Sequence, residues 1–177
     1  MNTANKLTIL RILVVPLFIY FLMSGQMILA ITAFAFAAFT DWVDGYVARK
    51  YNQITNFGKL IDPLADKILV IAAFVCFIEL DIIPAWSVFV IIARELTVTA
   101  LRSLAATEGK VIAASWWGKA KTVSQILAII MIMVNQMHSL DIYGFTTVTY
   151  IFSICVVLTI ISFIDYFKQC LPFIKFK

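Results

Sequence analysis

The sequence predicts an all-α polytopic membrane protein: one domain of six transmembrane helices with both termini on the cytoplasmic side. Three observations predict it. Hydrophobic residues fill 63% of the 177 positions and charged residues only 14%, a ratio that excludes a soluble globular domain. The apolar residues gather into six runs, each long enough to cross a hydrocarbon layer of about 30 Å. The lysines and arginines collect toward one end of these runs.

The first run, Leu7–Met23, has no charged leader followed by a small-residue cleavage site, so it reads as a retained helix. The second and third, Met27–Arg49 and Gly58–Leu80, carry acidic residues toward the ends that adjoin each other. The fourth, Pro84–Ala106, holds Arg94 and Glu95 in its middle, adjacent residues that could form an internal ion pair. The fifth, Trp117–Gln136, begins beside Trp116, and the two tryptophans suit a membrane interface belt. The sixth is Thr146–Tyr166. Hydrocarbon offers backbone groups no partner, so each run is expected to be helical.

Orientation follows from charge. The connections after runs one, three and five contain no Lys or Arg, while Lys6, Arg11, Arg49, Lys50, Lys59, Lys110, Lys119, Lys121 and Lys168 lie toward the opposite side. The positive-inside rule places that side in the cytoplasm. The net charge of +4 fits this bias and attraction to anionic headgroups; with no basic patch outside the apolar runs, a nucleic-acid partner is excluded. Cys76, Cys155 and Cys170 lack metal or disulfide spacing and read as small buried hydrophobes.

Four carboxylates stand out against this background. Asp41 and Asp44 are three residues apart, Asp62 and Asp66 four apart, so each pair shares a helix face. Counted from the outer ends of their runs, Asp41 and Asp66 are both about 21 Å deep, and Asp44 and Asp62 lie within a turn of them. The same count brings Arg102, Lys119 and Lys121 into this layer, near the cytoplasmic surface. Acids clustered at membrane depth are costly, and they cannot all stay ionised without cations. Mg²⁺ or Mn²⁺ suits such oxygen ligands, and two ions about 3.5–4 Å apart could clamp a phosphoryl displacement. Gly45, Ala48 and Gly58 keep the acidic faces open for close approach, and Arg49 at their edge suits phosphate oxygens.

These residues resemble the signature of the CDP-alcohol phosphotransferases: D-x-x-D-G-x-x-A-R, eight residues, then G-x-x-x-D-x-x-x-D. Every fixed position from Asp41 to Asp66 matches. Asn5–Arg11, Ala93–Glu95 with Arg102, and Gly118–Gln125 resemble a bacterial subfamily whose acceptor is sn-glycerol 3-phosphate. The resemblance implies transfer of a phosphatidyl group from CDP-diacylglycerol to that acceptor, with release of CMP. It implies that Asp41 and Asp62 bridge two divalent cations, that Asp44 and Asp66 complete the two sites, and that Asp66 is the general base. Gly45, Ala48, Arg49 and Gly58 would border the cytidine diphosphate, and a homodimer is expected. A phosphorylated acceptor needs a further cationic subsite, for which Arg102, Lys119 and Lys121 are the candidates, with Thr8, Arg94, Glu95 and Gln125 orienting it. The aspartates alone leave inositol phosphate, serine or phosphatidylglycerol open as acceptors. A divalent-cation or proton-coupled transporter is the competing class, although transport acids tend to lie at the midplane rather than in one shallow layer.

Overall fold

A computed structural model describes the backbone at residues 3–50, 56–107, 115–137 and 144–170. Six α-helices hold all of these residues but 24–26, 80–84 and 115: α1 (Thr3–Met23), α2 (Met27–Lys50), α3 (Asn56–Glu79), α4 (Ala85–Thr107), α5 (Trp116–Met137) and α6 (Gly144–Cys170). Each expected run falls on one helix. Most ends extend one to a few residues further, because backbone hydrogen bonding continues where hydrophobicity stops, whereas α3 ends at Glu79 and α4 begins at Ala85, each one residue inside the expected limit. α5 and the stretch Thr147–Cys170 are long and apolar enough to cross a membrane. Among the described residues, shorter apolar stretches lie at Thr8–Met23 in α1 and Met27–Thr40 in α2.

The chain forms two compact units, residues 1–82 with 132–140 and residues 83–131 with 141–177. In the first, α1 packs on both α2 and α3. The buried side of α1 is a seven-residue repeat, Thr8, Arg11, Val15, Phe18 and Leu22. That of α2 runs Ala30, Phe34, Ala37, and Phe34 meets Phe18 with ring centroids 5.7 Å apart. α3 contributes Ala65, Leu69, Ala73, Cys76 and Phe77. Small residues alternate with large ones along these seams, which allows close helix approach where lipid offers no hydrophobic drive.

Two turns repeat one device. At the end of α1 the Gln26 N–H bonds the Phe21 carbonyl and the Gly25 N–H bonds that of Leu22, with Gly25 at φ 73°. At the end of α3 the Ile82 N–H bonds Phe77 and the Asp81 N–H bonds Ile78, with Asp81 at φ 55°. Both are Schellman caps, which close the orphan carbonyls of a helix and need a left-handed residue. The first is followed at once by α2, so α1 and α2 are antiparallel neighbours.

The second unit packs α4 against α6 and holds α5 as far as Met131. The buried stripe of α6 is Val148, Phe152, Cys155, Thr159, Ser162, Tyr166 and Cys170. Its apolar first half gives way to hydroxyls. Within this unit α5 runs the other way, from buried Lys121 and Gln125 to Ala128 and Ile129. Cys76, Cys155 and Cys170 are all buried in these seams.

Candidate active site

The acidic motif lies on α2 and α3, whose backbones are helical through both pairs of aspartates. The side chains of Asp41, Asp44, Gly45, Ala48, Arg49, Gly58, Asp62 and Asp66 lie outside the described residues, as does His138. Their register is defined by the backbone. Asp41 and Asp44 are four and seven residues beyond Ala37, in step with the seam Ala30–Phe34–Ala37. Asp62 is three residues before buried Ala65, and Asp66 three before buried Leu69. The connection at residues 51–55 spans at most about 20 Å. α2, with 24 residues, is about 36 Å long. The acid-bearing ends of α2 and α3 are thus the ends that this connection joins. Carboxylate oxygens are hard donors of the kind Mg²⁺ and Mn²⁺ prefer. Among the described side chains no group of three His, Cys, Asp or Glu is placed to hold a metal ion.

α1 supplies polar residues at the same level. Arg11 is twelve residues before Met23, and Asp41 fourteen beyond Met27, on helices joined by a short turn. Arg11 is only 2% exposed and Thr8 is as deeply buried. A guanidinium so buried must be hydrogen-bonded or neutralised. The sequence placed Thr8 in a supporting role and Arg11 among the topological charges and at the end of the Asn5–Arg11 motif; its burial could not be seen in the charge count.

In the second unit, Arg94 and Glu95 form the expected pair, Arg94 Nη1 donating to Glu95 Oε1 at 2.9 Å. Lys121 Nζ donates to the same oxygen. Arg94 Nη2 donates to Ser162 Oγ, and the guanidinium lies 5.4 Å from the centroid of the Tyr166 ring. The cluster holds two cations and one anion, with Arg94, Glu95 and Lys121 all under 10% exposed. One carboxylate between two cations makes their burial tolerable and leaves a net positive charge. Arg94 Nε and Gln125 Nε2 are buried donors with no hydrogen-bond partner among the described residues.

The three acceptor candidates therefore divide. Lys121 is buried and committed to Glu95, seven residues or about 10 Å along α4 before Arg102. Lys119 and Arg102 are exposed. Arg102 is in register with buried Val98 and Ala105, so an open position interrupts the packed stripe of α4 there. Ser162, Tyr166 and Ser115 carried no signal in the sequence, where a hydroxyl in an apolar run looks like packing. A groove of about 190 Å³ between α4 and α6 borders this cluster: Arg94 and Thr159 line it together with Phe89, Val90, Ala93, Thr97, Ile160 and Phe163, and its exposed wall is mostly apolar.

Comparison with known proteins settles the family. Residues 1–164 match the CDP-alcohol phosphatidyltransferases. The chain belongs to this family. A CDP-diacylglycerol–glycerol-3-phosphate 3-phosphatidyltransferase of Bacillus subtilis is 38% identical, covering 95% of this chain and 94% of the relative. A protein of the same name from Haemophilus influenzae is 37% identical over 94% of this chain and 92% of its own length. A probable phosphatidylglycerophosphate synthase of Mycobacterium tuberculosis is 37% identical over 96% and 82%. The matched region covers the acidic helices and the Arg94–Glu95–Lys121 cluster alike, so the family resemblance is a property of both units.

Proposed function

We propose that this chain is a phosphatidylglycerophosphate synthase, transferring the phosphatidyl group of CDP-diacylglycerol to sn-glycerol 3-phosphate with release of CMP. The observation that carries the reading is the unbroken acidic signature on α2 and α3, in a chain aligned over 94–96% of its length with the three relatives described above. The six helices are read as six spans of one domain, with both termini and the acidic ends on the cytoplasmic side of a bacterial membrane. Basic residues at those ends support this orientation.

Asp41 and Asp62 would bridge two divalent cations, with Asp44 and Asp66 completing the two sites. Bound there, Mg²⁺ or Mn²⁺ supplies neutralisation of the diphosphate and of the departing CMP. Arg49 would hold phosphate oxygens by paired hydrogen bonds, and Gly45, Ala48 and Gly58 would let the nucleotide approach the helix backbones. Asp66 takes the proton of the acceptor hydroxyl as its oxygen attacks the phosphatidyl phosphorus and the bond to CMP breaks. Arg102 and Lys119, both exposed, would meet the acceptor phosphate from water. Buried Lys121, anchored by Glu95, supports them with a fixed charge, and Gln125 lies one turn further along the same face.

A panel of acceptors tests this. Purified protein given CDP-diacylglycerol should release CMP rapidly with sn-glycerol 3-phosphate and only at background rate with inositol phosphate, serine or phosphatidylglycerol. Faster release with any of the other three would refute the assignment.

A further inference from the structure

The position of the lysines on α5 depends on how the start of that helix is held, and one aromatic side chain touches each part of the holding arrangement. Tyr166 on α6 is 3% exposed. Its hydroxyl accepts the Ser115 N–H at 3.1 Å, just before α5 begins. Ser115 in turn caps the helix, its Oγ accepting the Gly118 N–H at 3.1 Å. The Tyr166 ring lies against Gly118 so closely that a Cβ there would be 3.0 Å from Cε2 and 3.1 Å from Oη. The same ring faces the Arg94 guanidinium, whose Nη2 bonds Ser162, one turn earlier on α6.

We propose that Tyr166 is a positioning residue for the acceptor: it latches the first turn of α5 to α6 and to Arg94, and so sets where Lys119 and Lys121 stand. The inference rests on the proposed function for its substrate. The physical argument concerns the backbone. A helix start has unpaired N–H groups, and a side-chain acceptor from a neighbouring helix fixes its position as well as satisfying it. Lys119 is one residue from Gly118 and Lys121 three, so movement of this turn moves the exposed Lys119 ammonium and pulls on Lys121 against its hold on Glu95. Glycine at 118 is what allows the contact, since any larger residue pushes the ring away from Ser115 and Arg94 together.

The test uses the full chain in lipid, with Tyr166→Phe and Gly118→Ala. Tyr166→Phe keeps the ring but removes the acceptor; Gly118→Ala keeps the acceptor but displaces the ring by a few tenths of an ångström. Both should raise the KM for sn-glycerol 3-phosphate about three- to tenfold, the range expected for one hydrogen bond, while the KM for CDP-diacylglycerol stays within about twofold. Amide hydrogen exchange at residues 115–119 should quicken about tenfold in Tyr166→Phe. A purely structural role would lower the yield of folded protein without the split between the two KM values. Equal effects on both substrates, or faster exchange with an unchanged acceptor KM, would overturn the proposal; so would unchanged exchange. If Tyr166→Phe cannot be purified, Gly118→Ala carries the kinetic test. If the parent protein uses a different acceptor, the proposed function fails by itself, and the KM split is read with the acceptor it does use.

Discussion

Glu95→Gln puts the buried charge cluster to the sharpest test. The carboxylate oxygen Oε1 is bonded by Arg94 and by Lys121, and the side chains of the three residues are between 4% and 11% exposed. Two cations sharing one oxygen lie at most about 5 Å apart, where like unit charges repel by about 3 kcal/mol at an effective dielectric near 20. Glutamine can still accept a hydrogen bond but cannot oppose that repulsion. Removing one partner of a buried ion pair typically costs about 3–5 kcal/mol. For a chain of this size that corresponds to a fall in melting temperature of roughly 6–20 °C. Thermal unfolding in detergent, followed by near-ultraviolet circular dichroism, measures it. Adding Lys121→Met removes the second cation, and the double variant should recover at least about 1 kcal/mol relative to the sum of the single effects. A Glu95→Gln protein melting within about 2 °C of the parent, or strict additivity in the double variant, would refute the electrostatic account.

Three further outcomes are expected. Asp66→Asn should lower turnover about 10²–10⁴-fold while CDP-diacylglycerol still binds; a loss under about tenfold in single-turnover CMP release would exclude the general-base role. Arg102→Ala should raise the KM for sn-glycerol 3-phosphate well above any change for the nucleotide lipid, and steady-state kinetics with both substrates varied would show the reverse if Arg102 serves the donor. Gly25→Ala should destabilise by about 1–2 kcal/mol in denaturant titration, because φ 73° strains any Cβ although open space surrounds it; an unchanged midpoint would remove the conformational argument.

Hydrophobic runs announced the helices because a span must be apolar on its lipid side and on most of its packed side. That same uniformity concealed which face packs. Phe18 and Leu22 are buried in α1 while Leu13 and Leu17 are exposed, and nothing in their chemistry separates them. The helix ends were less legible: α1 begins at Thr3 and α6 continues to Cys170, beyond the apolar limits. At the candidate site, charge was the readable signal. It singled out Arg94 beside Glu95, and the structure pairs them. It also grouped Lys121 with Arg102 and Lys119 by depth, whereas the structure buries Lys121 against Glu95 and leaves the other two exposed. Depth counted along a helix fixes level, not facing direction, and a lysine stem reaches several ångströms from its own level. Tyr166, Ser162 and Ser115 were unreadable for a related reason: their role depends on which neighbour each meets, such as Gly118 across the helix interface, and no residue spacing encodes that.

The central claim is that Asp41, Asp44, Asp62 and Asp66 together hold a pair of divalent cations. Electron paramagnetic resonance of Mn²⁺ titrated into the purified protein tests it most directly. The account predicts two ions per chain with the exchange-coupled spectrum of neighbours about 3.5–4 Å apart, collapsing to at most one weak, uncoupled ion in Asp62→Asn. Two independent uncoupled ions, or a coupled spectrum that survives Asp62→Asn, would contradict it.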